Sequence, residues 1–147
     1  MPTSTVENYL KQILVVSLET NCPEVPMGKV AQGLCVTSGT ATTMIKNLAG
    51  NGWLNYYPRR GVRLTRKGKK LAMNMLRRHR LLETFLVETL GLDWSEIHQE
   101  AEELEHAISE KFWRNWMSFW VVPGRTPTVI QYQREVVLSE EPVLKAS

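Results

Sequence analysis

The chain has 147 residues, of which 43% are hydrophobic and 22% are charged, and its net charge is +3. This composition excludes an intrinsically disordered chain, because enough apolar surface is present to build a packed core. No apolar run approaches membrane-spanning length and no leader is recognisable, so we expect a soluble, cytoplasmic protein without a membrane partner. Cys22 and Cys35 lack a metal-type spacing and are expected to be reduced thiols.

The positive charge is concentrated in one segment. No Asp or Glu occurs between Val25 and Leu82, and this window carries 12 of the 18 Lys and Arg residues. The remainder of the chain holds all 15 acidic residues. Such segregation is typical of a nucleic-acid-binding surface joined to an acidic module.

The first part of the chain is predicted to form three helices. Thr5 can cap the first, which continues to about Glu19. Pro26 can begin a second short helix, and Thr37 or Ser38 can cap the third, which the glycines at positions 50 and 52 end. Two short helices joined by a tight turn predict a helix-turn-helix, whose second helix can enter a DNA major groove.

A predicted hairpin follows the third helix. The segment WLNYYPRRGVRLT indicates two short strands around a Pro-Arg-Arg-Gly turn, which would form a wing with Arg59 and Arg60 at its tip for phosphate or minor-groove contacts. Alternatively, the hydroxyl side chains of the third helix only cap and solvate it. The predicted DNA-contacting residues of that helix are small or hydroxyl-bearing side chains and one lysine: Thr37, Ser38, Gly39, Thr40, Thr42, Thr43 and Lys46.

Three further helices are predicted after the wing. Thr65 can cap a long helix to about Thr89, Asp93 or Ser95 can begin the next, and the last begins near Ser109. The last helix is rich in large aromatic side chains, which suggest either burial against a partner subunit or packing in the chain's own core. Beyond it, the segment 128–138 could be a strand.

The fifth predicted helix contains HQEAEELEHA, positions 98–107. At about 100° per residue, His98, Glu102, Glu105 and His106 fall on one side of the helix, whereas Glu100 and Glu103 do not. A solvated charged face and a metal site are both compatible with this spacing.

The histidine-containing segments resemble a known family. RHRLLETFL followed by GLDWSEIHQEAEELEH, after a winged helix-turn-helix ending in LTRKGKK, is similar to the diphtheria toxin repressor family, which includes the manganese transport regulators. The resemblance covers about residues 5–120. It implies a homodimer that binds a palindromic double-stranded DNA operator in response to a metal ion, at promoters of iron or manganese uptake.

The resemblance also assigns candidate metal ligands. His79, Glu83 and His98 match one family site, and Glu102, Glu105 and His106 match the other. The position of Glu102 is a cysteine in iron-type members and a glutamate in manganese-type members. Because carboxylates are harder ligands than thiolates, the expected cofactor is Mn(II) or Fe(II), with one or two ions per subunit.

The first helix departs from the family. Positions that normally supply ligands are Asn8, Leu10 and Lys11, so a neutral amide, an apolar side chain and a cation stand where the family places donors. If this helix docks as in the family, Lys11 is expected near Glu102 and Glu105; alternatively, it pairs with Glu7 one turn earlier.

These patterns together predict a mostly α fold with three parts. Residues 1–72 are expected to form a winged helix-turn-helix, residues 73–122 a helical dimerisation and metal-binding domain, and residues 123–147 an irregular tail. The predicted function is a metal-dependent, sequence-specific transcriptional repressor of metal-homeostasis genes, the alternative being a winged-helix regulator that has lost metal control. We do not expect an enzyme, since no catalytic motif accompanies the His/Glu cluster.

Overall fold

The computed structural model describes residues 2–120, which form six helices and one two-stranded sheet, confirming a mostly α fold. In chain order, the elements are α1 (Ser4–Thr20), α2 (Met27–Gly33), α3 (Ser38–Gly50), β1 (Leu54–Tyr57), β2 (Gly61–Leu64), α4 (Arg66–Glu88), α5 (Trp94–Ala107) and α6 (Glu110–Trp120). Over the described residues the chain divides into two compact units, with the boundary between Leu76 and Arg77. The tail predicted for 123–147 and the strand suggested for 128–138 lie outside the described residues.

Helix α1 begins earlier than the sequence predicts. Thr3, and not Thr5, is the N-cap, and its hydroxyl accepts a hydrogen bond from the Val6 amide at 3.3 Å. The prediction was wrong because Thr3, Ser4 and Thr5 can all cap a helix, and only the extended backbone at Thr3 distinguishes them. The helix ends at Thr20, and the left-handed backbone of the C-cap residue Asn21 lets the Cys22 amide donate a hydrogen bond to the Ser17 carbonyl at 3.1 Å.

The apolar stripe of α1 forms the centre of the first unit. Its fully buried members, Leu10 and Ile13, belong to one hydrophobic cluster with side chains from α2, α3 and the hairpin. From those elements, the cluster includes Val30, Ile45, Leu48, Leu54 and Val62. Burying each such side chain contributes roughly 1.5–3 kcal/mol, so this core holds the helix-turn-helix against α1.

The hairpin is tied to the start of the helix-turn-helix. Strands β1 and β2 pair antiparallel, with Leu54 opposite Leu64 and Tyr57 opposite Gly61. Val25 adds a bridge to Val62 through two backbone hydrogen bonds of 2.8 and 2.9 Å. Gly61 has φ of +139°, and a Cβ there would lie 2.3 Å from the Val25 carbonyl oxygen, so this crossing requires glycine.

The second unit is a helical cluster made by the later part of α4 together with α5 and α6. Its buried side chains include Leu82 and Leu86 on α4, Ile97 on α5 and Trp113 on α6. Asp93 is the N-cap of α5 and accepts a hydrogen bond from the Ser95 amide at 2.9 Å. Among the helices of residues 2–120, none combines the length and apolar character needed to cross a membrane.

Candidate metal centre and nucleic-acid interface

Three predicted ligands come together between α4 and α5. His79 and Glu83 lie one turn apart on α4, which places both on the side that faces His98 of α5. His79 Nε2 lies 2.7 Å from Glu83 Oε1 and 3.1 Å from His98 Nδ1, and His98 Nδ1 lies 3.3 Å from Glu83 Oε1. One ligand atom from each of the three residues lies within 4.8 Å of the others.

The carboxylate of this group is strongly biased toward its ionised form. Partial burial alone would raise the pKa of Glu83, but hydrogen bonds from His79 and His98 and the positive charges of His79 and Arg80 lower it to about 2. Glu83 is therefore an anion at neutral pH, which is the state in which a carboxylate binds a metal ion.

The other three predicted ligands extend the same network. Glu105 is fully buried, with Oε2 2.8 Å from His79 Nδ1 and Oε1 3.4 Å from His106 Nε2. Glu102 Oε1 lies 3.5 Å from His98 Nε2. The structure thus connects all six predicted residues, but it does so through His79 and His98 instead of forming two separate clusters.

The donor atoms of the central group suit a divalent first-row metal ion. Two imidazole nitrogens and one carboxylate oxygen form a donor set of intermediate hardness, accepted by Mn(II), Fe(II) and Zn(II) alike. Within residues 2–120, one group of His, Cys, Asp or Glu side chains is arranged so that it could hold a metal ion, and it consists of His79, Glu83 and His98. Cys22 and Cys35 are exposed free thiols outside this group.

The first unit presents the predicted recognition helix. Thr37 caps α3 and accepts from the Thr40 amide at 3.2 Å, which confirms the earlier of the two predicted caps. Thr42 and Thr43 donate their hydroxyl hydrogens to the carbonyls of Ser38 and Gly39. Because those hydrogens are used within the helix, these two threonines offer methyl groups and acceptor lone pairs outward. The remaining predicted contacts on α3 are all exposed, namely Ser38, Gly39 and Lys46.

The two arginines at the wing tip have different environments. Arg59 has a positive φ of 69°, in a turn closed by a hydrogen bond from the Arg60 amide to the Tyr57 carbonyl. Arg60 forms a two-pronged ion pair with Glu24, with distances of 3.3 and 2.9 Å. Sequence reasoning did not identify Glu24, although it is the acidic residue immediately before the acid-free window.

The aromatic residues of α6 divide between core and surface. Trp113 is buried and stacks on Trp116 at 5.2 Å between ring centroids, and Trp116 meets Phe85 edge-on at 5.5 Å. Phe112 is 53% exposed and Trp94, at the start of α5, is 73% exposed. Core packing therefore accounts for part of the aromatic pattern, and an apolar surface remains on the same unit.

Two family models match most of the chain. Residues 1–62 match the iron dependent repressor N-terminal DNA-binding domain, and residues 65–129 match the iron dependent repressor metal-binding and dimerisation domain. The first match contains the helix-turn-helix and the hairpin up to residue 62, within β2, and the second contains all six candidate ligands.

Individual relatives agree with these models. The chain is 37% identical over 109 residues to an uncharacterised HTH-type transcriptional regulator of Methanocaldococcus jannaschii, covering 74% of this chain and 86% of the relative. It is 36% identical to the HTH-type transcriptional regulator MntR of Lysinibacillus sphaericus, covering 74% and 76%. A solved manganese-dependent transcriptional repressor in complex with manganese superposes with a TM-score of 0.69 at 38% identity. The alignment covers 80% of this chain but 53% of that structure, so this chain spans about half its length.

Proposed function

This chain belongs to the diphtheria toxin repressor family of metal-dependent regulators, and we propose on that premise that it is a cytoplasmic, metal-responsive repressor of metal-homeostasis genes. The observation that carries this proposal is the convergence of His79, Glu83 and His98 in the unit that matches the family's metal-binding domain. The regulators that it resembles are not enzymes, and we propose a binding function for this chain as well.

We assign one Mn(II) or Fe(II) ion per subunit to His79, Glu83 and His98. When bound, the ion would replace the protons that these groups share, so the two imidazoles and the ionised carboxylate would be joined through one cation. The similarity to a manganese-dependent repressor supports Mn(II), whereas the matching family models are those of iron dependent repressors and support Fe(II). A second ion at Glu102, Glu105 and His106 would have to compete for oxygens of Glu105 that already contact His79 and His106.

DNA binding is assigned to α3 and the wing. The exposed methyl groups and acceptors of the α3 threonines can contact thymine methyls and base donors in a major groove, and Lys46 can reach a phosphate or a guanine. Arg59 and Arg60 supply positive charge at the wing tip. A homodimer would present two such surfaces, so the proposed target is a palindromic operator.

One observation favours a second candidate, a regulator of the same architecture without metal control. Leu10 is fully buried in the core of the first unit and offers no side-chain donor. Lys11 is also buried, with 7% of its surface exposed. The resemblance expects donors on this helix, and here it presents an apolar group and a cation.

Metal titration of the full chain tests the assigned site. Wild type is expected to bind one Mn(II) or Fe(II) per subunit, and the ion should raise the melting temperature, because it binds the folded state preferentially. Glu83→Gln should weaken binding at least roughly tenfold, since it removes the anionic ligand. Glu100→Gln, which changes an exposed carboxylate of α5, is the control and should bind as wild type does. Absence of binding, or equal binding by all three proteins, contradicts the assignment.

A further inference from the structure

The outward face of the hairpin carries a basic residue in addition to those at its tip. Leu54 and Val62 belong to the core of the first unit. Because side chains alternate along a strand, Asn55 and Arg63 point the other way, and the register places them opposite each other. Both are exposed. Arg63 therefore presents its charge to solvent between the turn of the hairpin and the start of α4.

Two aromatic rings hold further cations on the same side of the hairpin. Tyr57 and Trp53 lie two residues after and before Asn55, so both share its side of β1. At the tip end, Cζ of Arg60 lies 5.3 Å from the centroid of the Tyr57 ring. At the other end, Nζ of Lys67 lies 4.0 Å from the centroid of the Trp53 ring. Each ring attracts its cation electrostatically and so restricts a long, flexible side chain.

Arg60, Arg63 and Lys67 thus form a row along the hairpin. The two rings that flank it are four residues apart on an extended chain, which is about 13 Å. Lys67 also donates a 3.3 Å hydrogen bond to the carbonyl of Asn51, the C-cap of α3, so this end of the row lies beside the recognition helix. Glu24 pairs with Arg60. Within residues 2–120, no acidic side chain pairs with Arg63 or Lys67.

Helix stability does not account for the charge of Lys67. A positive charge in the first turn of a helix opposes the helix dipole. The first turn of α4 contains no acidic residue that would offset it. An external anion that binds the side chain gives the charge a function that folding does not.

We propose that Arg60, Arg63 and Lys67 form a phosphate-binding row, through which the wing contacts the backbone of the duplex that α3 reads. This inference rests on the proposed DNA-binding function and extends it from the tip of the wing to its whole length. Phosphate contacts carry no sequence information, so the row adds affinity but not specificity. A single strand fits less well, because stacked bases need open aromatic faces and a cation covers one face of each ring.

The salt dependence of DNA binding by the full chain tests the row. Fluorescence anisotropy in the presence of Mn(II) is measured on a duplex selected from a random pool and on its scrambled sequence. For the double variant Arg63→Gln/Lys67→Gln, the slope of log affinity against log salt should become shallower by about 1.8, or about 0.9 for each of two phosphates. Affinity for the two duplexes should fall by the same factor, within about twofold.

Two further variants separate position from net charge. Lys111→Gln/Arg114→Gln removes one lysine and one arginine that are exposed on α6, and its slope should stay within about 0.5 of the wild-type slope. Arg63→Lys/Lys67→Arg exchanges the two cations and should bind as wild type does. An equal change of slope in both neutralised variants, or a loss of affinity for a single strand but not for duplex, would overturn the proposal.

Neutral methylphosphonates at single backbone positions locate the contacts. Wild type should lose affinity at several positions, and Arg63→Gln/Lys67→Gln should become insensitive at two of them. If wild type prefers the selected duplex but the double variant keeps its full sensitivity and slope, only the phosphate-binding row fails. If wild type does not distinguish the selected duplex from the scrambled one, the proposed function fails, and the slopes on the scrambled duplex still decide whether the row binds phosphate.

Discussion

At the tip of the wing, Arg59 occupies a backbone conformation that glycine adopts more easily. Its φ of 69° follows Pro58, and a positive φ after proline is what a type II turn requires at its third position. A left-handed conformation costs a non-glycine residue roughly 1–2 kcal/mol. An arginine that is kept at this cost is consistent with a role in binding rather than in folding.

We therefore predict that stability and DNA binding separate at Arg59. Both Arg59→Gly and Arg59→Ala should weaken binding to any duplex, because each removes a cation from the wing. Only Arg59→Gly relieves the backbone, so it should be about 1 kcal/mol more stable than Arg59→Ala. Urea unfolding and fluorescence anisotropy with a labelled duplex measure the two effects. Equal stability of the two variants would show that the turn is not strained.

The neighbouring arginine is restrained by Glu24 instead of by the backbone. The Arg60 side chain is 68% exposed, so this ion pair is worth no more than about 1 kcal/mol. Glu24→Gln should release the guanidinium and remove a negative charge, raising affinity for duplex DNA by up to about fivefold at low salt. The plot of log affinity against log salt should steepen by up to about 0.9. Glu19→Gln removes an exposed acid from α1 and is the control; an equal effect of both substitutions would mean that only net charge matters.

At the scale of elements, α4 starts so close to the hairpin that one position requires glycine. A Cβ at Gly68 would lie 1.9 Å from the Trp53 carbonyl oxygen, whereas a Cβ at Gly28, in α2, would have no neighbour within 4 Å. Gly68→Ala should destabilise the protein by about 1–3 kcal/mol through this overlap. Gly28→Ala should stabilise it by about 0.5–1 kcal/mol, because alanine is the better helix former. Thermal unfolding of both variants measures these two changes in stability. If Gly68→Ala is as stable as wild type, α4 can move away from the hairpin to accommodate the methyl group.

Most element boundaries could be predicted because their causes are local. The Thr37 and Asp93 caps, the Pro58 turn and Gly52 after α3 each act within a few residues. The exception at Thr3 arose where neighbouring residues offered equivalent caps.

The long-range contacts could not be predicted in the same way. The Arg60–Glu24 pair joins residues 36 positions apart and depends on the bridge between Val25 and Val62. Likewise, helical spacing placed Glu105 and His98 on one side of α5, but the packing of α4 makes one buried and the other exposed. The family resemblance assigned the candidate ligands, and the spacing placed four of them on one side of α5, but their different chemical environments could be known only from the tertiary structure.

At the scale of the whole molecule, the exposed apolar residues of the second unit suit the dimer proposed above. Phe112 lies on α6 with 53% of its surface exposed, and Phe112→Glu should raise the dissociation constant of a dimer at least roughly tenfold. Lys111→Glu, on the same helix and exposed, is the control for added negative charge. Trp116 is a poorer test, because it packs on Phe85 and Trp113 within its own unit. Sedimentation showing an unchanged dimer for Phe112→Glu would place the interface elsewhere.

The central claim is that a metal ion held by His79, Glu83 and His98 controls DNA binding by α3 and the wing. The most direct test is fluorescence anisotropy on a duplex selected from a random pool by the Mn(II)-loaded protein, measured with and without Mn(II). We predict that Mn(II) tightens binding of wild type at least roughly tenfold, which is ~1.4 kcal/mol of coupling, and leaves Glu83→Gln unchanged. Equal affinity of wild type with and without Mn(II) would contradict the claim and favour the regulator without metal control.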